Sequence, residues 1–468
     1  MHYVSSRGKA PELSFNQVLL TGLASDGGLY MPKVWPSFDV SEISSWHKLP
    51  YPELAIRVMK PFIGGFCSDA VFKKLVYKAY EPFNNFDVAP LKSLGQNTWA
   101  LELFHGPTMA FKDIALQLLG QMFDHALCEN QRSIAIVGAT SGDTGSAAIE
   151  ACRDKAPIDI FMLHPHNRIS EIQRRQMTSV LSPNVHNIAL GGTFDDCQTL
   201  VKKIFNDTSF NKRWALCAVN SINWARIMAQ IVYYFWASLK LGGPKAPITF
   251  TVPTGNFGNI FAGYAAYKMG LPIHQLIIAS NDNDILTRFL KTGTMKVSSV
   301  LSTISPSMDI QISSNFERLI FEMAGRDGKF VAKKMTDLRK NDKFTLNSNM
   351  LSNIRKLFSA TSINDNQTKN TITEAFARSG YCLDPHSAVG LAAARKVGVE
   401  SDIPTVILAT AHPAKFPDAV KAATNVHPNL PPKFSKLLGA EERVTILDNN
   451  FTVVKDHIDS ILKKKRLQ

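Results

Sequence analysis

Twice in this chain a short run of apolar, β-favouring residues stops at a turn of Gly, Ser, Thr or Asn and gives way to a helical stretch. The first instance is Ser-Ile-Ala-Ile-Val-Gly-Ala at 133–139, then Thr-Ser-Gly-Asp-Thr-Gly at 140–145, a helix over 146–152 and a strand over 158–163. The second is an apolar run at 248–252, then Pro-Thr-Gly-Asn-Phe-Gly-Asn at 253–259, a helix over 260–269 and a strand over 276–279. Each series reads as a βαβ unit, whose parallel strands need a crossover helix and cover on both faces. An α/β fold follows, and the amides and hydroxyls of each turn can face an anion at a helix N-terminus. Glycine-rich turns also serve backbone geometry alone, and the pattern by itself leaves both readings open. A nicotinamide cofactor is not indicated, because the spacing of Gly138, Gly142 and Gly145 is not the dinucleotide fingerprint.

The alternation continues through a strand at 185–190, a helix over 194–206, a long aromatic helix over 223–240 and a strand at 405–410. Thr410 stands at the carboxyl end of that last strand, where open α/β sheets place their ligands. Tyr233, Tyr234, Phe235 and Trp236 are consecutive and cannot all face one ligand, so they read as core packing between domains. Upstream, a short strand over 98–104 delivers the chain to Phe-His-Gly-Pro-Thr-Met-Ala-Phe-Lys-Asp-Ile at 104–114. From Pro107 the spacing predicts a helix as far as Ala126, with Ala115, Leu119, Met122 and Ala126 on the same apolar stripe as Lys112. Such a lysine is either a solvated residue that snorkels outward or pairs with Asp113, or an amine with a lowered pKa suited to forming an imine. The helical count does not choose between them.

At 468 residues the chain exceeds one ordinary core. The expected division is a mostly helical N-terminal subdomain at 1–95, broken by Pro32, Pro36, Pro50, Pro52, Pro61 and Pro82, and a first α/β domain at 96–240. A second α/β domain follows at 241–430, with a polar helical insertion near 325–370, and the C-terminal tail at 431–468 ends in a solvated Lys-Lys-Lys-Arg. Hydrophobic residues at 45% and charged residues at 19% describe a folded chain with a large interior rather than a disordered one. The net charge of +13 suits attraction of an anionic ligand and equally weak adhesion to nucleic acid, so it decides nothing alone. Six scattered cysteines, with no Cys-x-x-Cys pair and no clustering with histidines, indicate buried thiols in a reducing compartment and no metal site. Residues 1–33 hold no basic stretch followed by an apolar core, and the apolar run at 227–241 is interrupted by Gln230, Ser238 and Lys240. A cytoplasmic protein without a membrane partner is the expectation.

Two anion-receptive turns, a lysine on an apolar stripe and a hydroxyl at another strand end suit an aldehyde cofactor bearing a phosphate, and pyridoxal phosphate fits all four. The motifs Asp-Gly-Gly-Leu-Tyr-Met-Pro at 26–32, Phe-His-Gly-Pro-Thr-Met-Ala-Phe-Lys-Asp at 104–113, Thr-Ser-Gly-Asp-Thr-Gly at 140–145 and Ser-Ile-Asn at 221–223 come in order. After them come Pro-Thr-Gly-Asn-Phe-Gly-Asn at 253–259, Ser-Pro-Ser-Met-Asp at 305–309, Asp-Pro-His at 384–386 and Thr-Ala-His-Pro-Ala-Lys-Phe at 410–416. In these motifs and their order the chain resembles the threonine synthases of bacteria and fungi, over nearly its whole length.

The resemblance implies a fold-type II pyridoxal phosphate enzyme, with two open twisted α/β domains, the cofactor in the cleft between them and a mostly helical N-terminal subdomain. It implies conversion of O-phospho-L-homoserine and water into L-threonine and phosphate, by γ-elimination of phosphate and β-addition of water. By position, Lys112 matches the Schiff-base lysine, Gly255, Asn256, Phe257, Gly258 and Asn259 the loop that holds the cofactor phosphate, and Thr410 the hydroxyl at the pyridine nitrogen. The turn with Thr140, Ser141 and Thr144 matches the receptor of the substrate carboxylate, while Arg168, Asn223 and Arg226 are candidates for the substrate phosphate. Met109 stands where members commonly have Leu, a change of similar volume. A small-molecule substrate, no nucleic acid, and a monomer or homodimer complete the expectation. Two rivals stand beside it: a phospho-lyase releasing 2-oxobutyrate, and a non-catalytic phosphate-binding homologue.

Overall fold

Six strands share one sheet in the order Phe358–Ser362, Ile273–Ser280, Ile248–Pro253, Thr405–Ala409, Thr98–Glu102 and Leu91–Gly95. The first five are parallel and the last pairs antiparallel with its neighbour. This is the sheet of the larger of two units in a computed structural model that describes residues 1–219 and 221–466. That unit comprises Met1–Ala115 and Ser221–Pro428, and the chain leaves it inside the helix Lys112–Glu129. The smaller unit comprises residues 116–219 and 429–466, around the parallel order Thr445–Leu447, Val185–Leu190, Ile158–Pro165, Ile134–Ala139 and Leu216–Cys217.

The central strands are largely apolar because helices cover both faces of the sheet, and Ile248–Pro253, Thr249 and Thr251 included, is buried at every position. Against the larger sheet and its crossover helices runs the aromatic helix Trp224–Lys240, which is buried from Trp224 to Leu239. The N-terminal segment adds a three-stranded sheet and four helices to the same unit, with Tyr3 packed against Phe15 and Trp224. In the smaller unit the core is built from Val137, Phe161, Leu163, Ile188, Leu190 and Leu200, closed by Val454, Ile458 and Leu462.

These units divide the chain differently from the boundaries at 95, 240 and 430. The strand Thr98–Glu102 lies between Thr405–Ala409 and Leu91–Gly95, so it belongs with the later strands rather than with the 133–139 unit. Pairing over some three hundred residues is invisible to local pattern. The C-terminal stretch is no tail: Thr445–Leu447 extends the smaller sheet, and the helix Phe451–Arg466 presents an apolar stripe at a spacing of four. Nor is its basic end merely solvated, since Lys465 pairs with Asp159 at 2.9 Å and the Arg466 guanidinium lies 4.2 Å from the Trp214 ring centre. Within 325–370 the residues Phe358–Ser362 form an edge strand, half covered and therefore weakly patterned. Pro107 does not open the lysine helix. The helix begins at Lys112, and residues 107–111 form an irregular turn in which buried Met109 takes a φ of 59°.

Candidate active site

Three neighbouring parallel strands of the larger sheet, Ile248–Pro253, Thr405–Ala409 and Thr98–Glu102, end on the same side, and each runs into one of the expected motifs. The lysine turn is stitched directly onto the strand carrying Thr410. Phe111 N donates to Thr410 O at 2.8 Å, His412 N to Met109 O at 3.1 Å, and Ala110 bridges Ala411. Lys112, the first residue of its helix, is half-buried, and its Nζ lies 5.0 Å from the Phe111 ring centre. The buried carboxylate of Asp113 fixes the turn, accepting from Thr108 N at 2.8 Å and Thr108 Oγ at 2.6 Å. Fully buried Lys415 donates to Thr108 O at 2.7 Å and so closes the turn from the other side. Burial pushes the Asp113 carboxyl up to about 6, against the opposing pull of the Thr108 bonds and the Lys415 charge.

Beyond Pro253 the chain makes the second turn and enters the helix Gly258–Lys268, with Phe257 left-handed at its N-cap. Among the described residues, the amides of 255–259 donate to no backbone acceptor outside that helix, whose first amides have no partner within it. The turn is held from behind. Ser313 Oγ donates to Gly255 O at 2.6 Å, and both the amide and the side chain of Asn315 donate to Asn256 O at 3.0 Å. A Cβ on Gly255 would lie 3.0 Å from Ser307 O, a tight approach that glycine relieves. Arg318 orders Asn315 through a 3.0 Å bond to its Oδ1, and reaches Tyr30 O and Ile222 O as well.

One carboxylate ties the two strand ends together. Asp384 caps the helix Pro385–Val397 and faces His386 Nδ1 at 2.9 Å, while His386 Nε2 accepts from Ser307 N at 3.2 Å behind the Gly255 turn. An accepting Nε2 places the ring proton on Nδ1, toward the carboxylate. Ser387 Oγ donates to the same carboxylate and accepts from Thr410 N at 3.1 Å. Thr410 is thus held by its backbone, and its hydroxyl makes no hydrogen bond among the described residues.

Residues 2–80 match the family "Threonine synthase N terminus", residues 84–339 "Pyridoxal-phosphate dependent enzyme" and residues 387–458 "Threonine synthase, C-terminal". A threonine synthase of Pseudomonas aeruginosa is 54% identical over 97% of both chains. A crystal structure of PLP-bound threonine synthase from Brucella melitensis superposes with a TM-score of 0.96, at 51% identity, covering 98% of this chain and 99% of that one. A threonine synthase structure from yeast gives 0.94 at 40% identity, covering 99% of each. The chain belongs to the threonine synthase family. It is a pyridoxal-phosphate-dependent enzyme of the α/β fold shared by these structures.

The residues of this threonine synthase family member fit the cofactor on their own chemistry. Asn259 Nδ2 is buried without a partner beside the free amides of 255–259, which is the donor set a phosphate needs. For the substrate phosphate, the three candidates separate. Arg168, in the smaller unit, is exposed. Asn223 is fully buried and caps the aromatic helix, donating to Leu19 O at 2.8 Å and accepting from Ala225 N at 3.0 Å, so its amide already has structural partners. Arg226 is 4% exposed, its Nε has no partner, and burial lowers its pKa to about 10. A buried guanidinium without a carboxylate carries an uncompensated charge.

In the smaller unit, the turn at 140–145 is organised by Thr140, whose Oγ1 accepts from Gly142 N at 2.9 Å and Gly145 N at 2.8 Å. Gly142 takes a φ of 134° against the Gln173 side chain, which donates to Asp143 Oδ1 at 2.9 Å. Exposed Ser141 and half-buried Thr144 keep their side chains out of these bonds.

Sequence reasoning did not assign Thr108, Asp113 and Lys415, the backing set Ser313, Asn315 and Arg318, or the hydroxyls of Tyr233 and Tyr234. Arg318 carried no local signal, because Phe316–Met323 also holds Glu317 and Glu322. Tyr233 and Tyr234 pack in the core of the larger unit rather than between domains, and their hydroxyls bond Asn259.

Proposed function

We propose that this protein is a threonine synthase that converts O-phospho-L-homoserine and water into L-threonine and phosphate, breaking the Cγ–O bond and forming a Cβ–O bond. The observation that carries the reading is the meeting of the lysine turn, Thr410 and the 255–259 turn at the ends of three adjacent strands, in a chain of this family. Bound pyridoxal phosphate supplies an electron sink for charge developing at the substrate carbons. The phosphate of that cofactor is received by the amides of 255–259 and Asn259 Nδ2, and its ring nitrogen by the Thr410 hydroxyl. Lys112 would hold the cofactor, and its amine would serve as the base and acid that moves protons between Cα and Cβ. Ser141, Thr144 and the amides of their turn receive the substrate carboxylate at a helix N-terminus. Arg226 receives the substrate phosphate in a dry site where a charge-assisted bond is strong. A threonine beside the ring nitrogen holds its proton less firmly than a carboxylate does, which tempers the sink.

The reading extends to a cytoplasmic enzyme, monomeric or homodimeric, with a small-molecule substrate and no nucleic-acid or membrane partner. No helix among the described residues is long and apolar enough to cross a membrane. Product analysis tests the function. With O-phospho-L-homoserine the purified protein is expected to release L-threonine and phosphate in equal amounts. Release of 2-oxobutyrate without threonine would mark a phospho-lyase, and no turnover by protein carrying the cofactor would mark a binding protein.

A further inference from the structure

Asn259 Nδ2 is useful to a phosphate only if the carboxamide is turned the right way, and three side chains of the aromatic helix bear on that choice. Tyr233 donates its hydroxyl proton to Asn259 Oδ1, and Tyr234 donates to Asn259 O at 2.8 Å while lying 3.3 Å from Oδ1. Gln230 Nε2 donates to Arg226 O at 2.7 Å, which turns Gln230 Oε1 toward the Tyr233 hydroxyl at 3.2 Å. All of these groups are buried, so no water competes for the bonds. A carboxamide rotated by half a turn would aim Oδ1, an acceptor, at the place an anion must occupy. Nδ2 would then be spent on Tyr233. With Oδ1 toward the two hydroxyls, Nδ2 is the buried donor left without a partner.

We propose that Tyr233 is a positioning residue for the cofactor phosphate: its hydroxyl holds the oxygen end of the Asn259 carboxamide and so presents the Nδ2 end to the anion. Gln230 Oε1 is a second acceptor beside the Tyr233 hydroxyl, at 3.2 Å, and the single hydroxyl proton serves the nearer Asn259 Oδ1. The inference rests on the pyridoxal phosphate reading and adds to it a residue that touches neither cofactor nor substrate. Tyr233→Phe keeps the ring and its packing and removes only the donor.

The test is the dissociation constant of pyridoxal phosphate for the full-length chain, stripped of cofactor and titrated by absorbance and fluorescence. It is measured for the wild type, Tyr233→Phe, Asn259→Ala and the double variant. Tyr233→Phe is expected to weaken binding about tenfold, the loss of one buried hydrogen bond and the misturning that follows. In the Asn259→Ala background the same change is expected to add nothing, because the tyrosine acts through the amide. A Tyr233→Phe constant within twofold of wild type, or effects that add in the double variant, overturns the positioning role and leaves the functional reading standing. A wild-type chain that does not bind pyridoxal phosphate overturns both.

Discussion

Lys112 owes its setting to its neighbours. The carboxylate of Asp113 and the ammonium of Lys415 close on Thr108 from opposite sides, so the lysine starts its helix from a turn that cannot drift. Thr108→Val keeps the volume and removes one donor to a buried carboxylate, and is expected to cost about 1–3 kcal/mol in urea unfolding together with a loss of kcat. Unchanged stability and turnover would assign the turn's rigidity elsewhere. His412, which follows Thr410 by two residues, gives a pH test. Burial, then the neighbouring His105, lowers its pKa to about 4, and its Nδ1 accepts from Ala414 N at 3.2 Å. A histidine whose pKa in the fold lies below its unfolded value contributes stability that is whole above about pH 6.5 and is lost as the pH falls through about 4. Acid unfolding is expected to show this slope, and His412→Gln to lose it; a variant with the wild-type slope contradicts the assignment. At this scale the sequence offered candidates for the site and gave no sign of the residues that support them. Lys112, Asn259 and Thr410 stand in motifs, whereas Lys415 and Tyr233 are ordinary residues until the fold brings Thr108 and Asn259 to them.

The 255–259 turn is an element whose shape is set from outside. Asn315 holds Asn256 O by both its amide and its side chain, and Arg318, whose burial lowers its pKa to about 9, holds Asn315. Asn315→Ala removes one grip on the turn and leaves a buried guanidinium N–H without its acceptor. The expected result is a loss of about 1–3 kcal/mol in stability and a weaker hold on pyridoxal phosphate, read by calorimetry and cofactor titration. Full retention of cofactor affinity would show that the turn holds its shape alone. Gly255→Val is expected to weaken the cofactor further, since its Cβ would press on Ser307 O. The strands at the heart of the two sheets were legible because burial on both faces leaves continuous apolar runs. The edge strand Phe358–Ser362 was not, nor was the lysine helix's true start, because the turn before it is held by tertiary bonds rather than by local propensity.

For the whole molecule, chain order and spatial order part company. Each unit is assembled from two separated stretches, and residues 429–466 complete the smaller one. Ile458, fully buried in that core, tests this: Ile458→Ala is expected to cost about 2–5 kcal/mol and to lower the unfolding temperature. A surface tail would tolerate it without change. The α/β class and the family were both readable from the order of motifs, while the partition into units depended on pairings such as Thr405–Ala409 with Thr98–Glu102. At the scale of the whole molecule these pairings bring the lysine turn, Thr410 and the 255–259 turn to the ends of three adjacent strands. The direct measurement is borohydride reduction of the protein with pyridoxal phosphate, followed by proteolysis and mass mapping. The phosphopyridoxyl mass is expected on the peptide at Lys112 and to be absent in Lys112→Ala; the mass on another lysine, or on none, would contradict the proposed site.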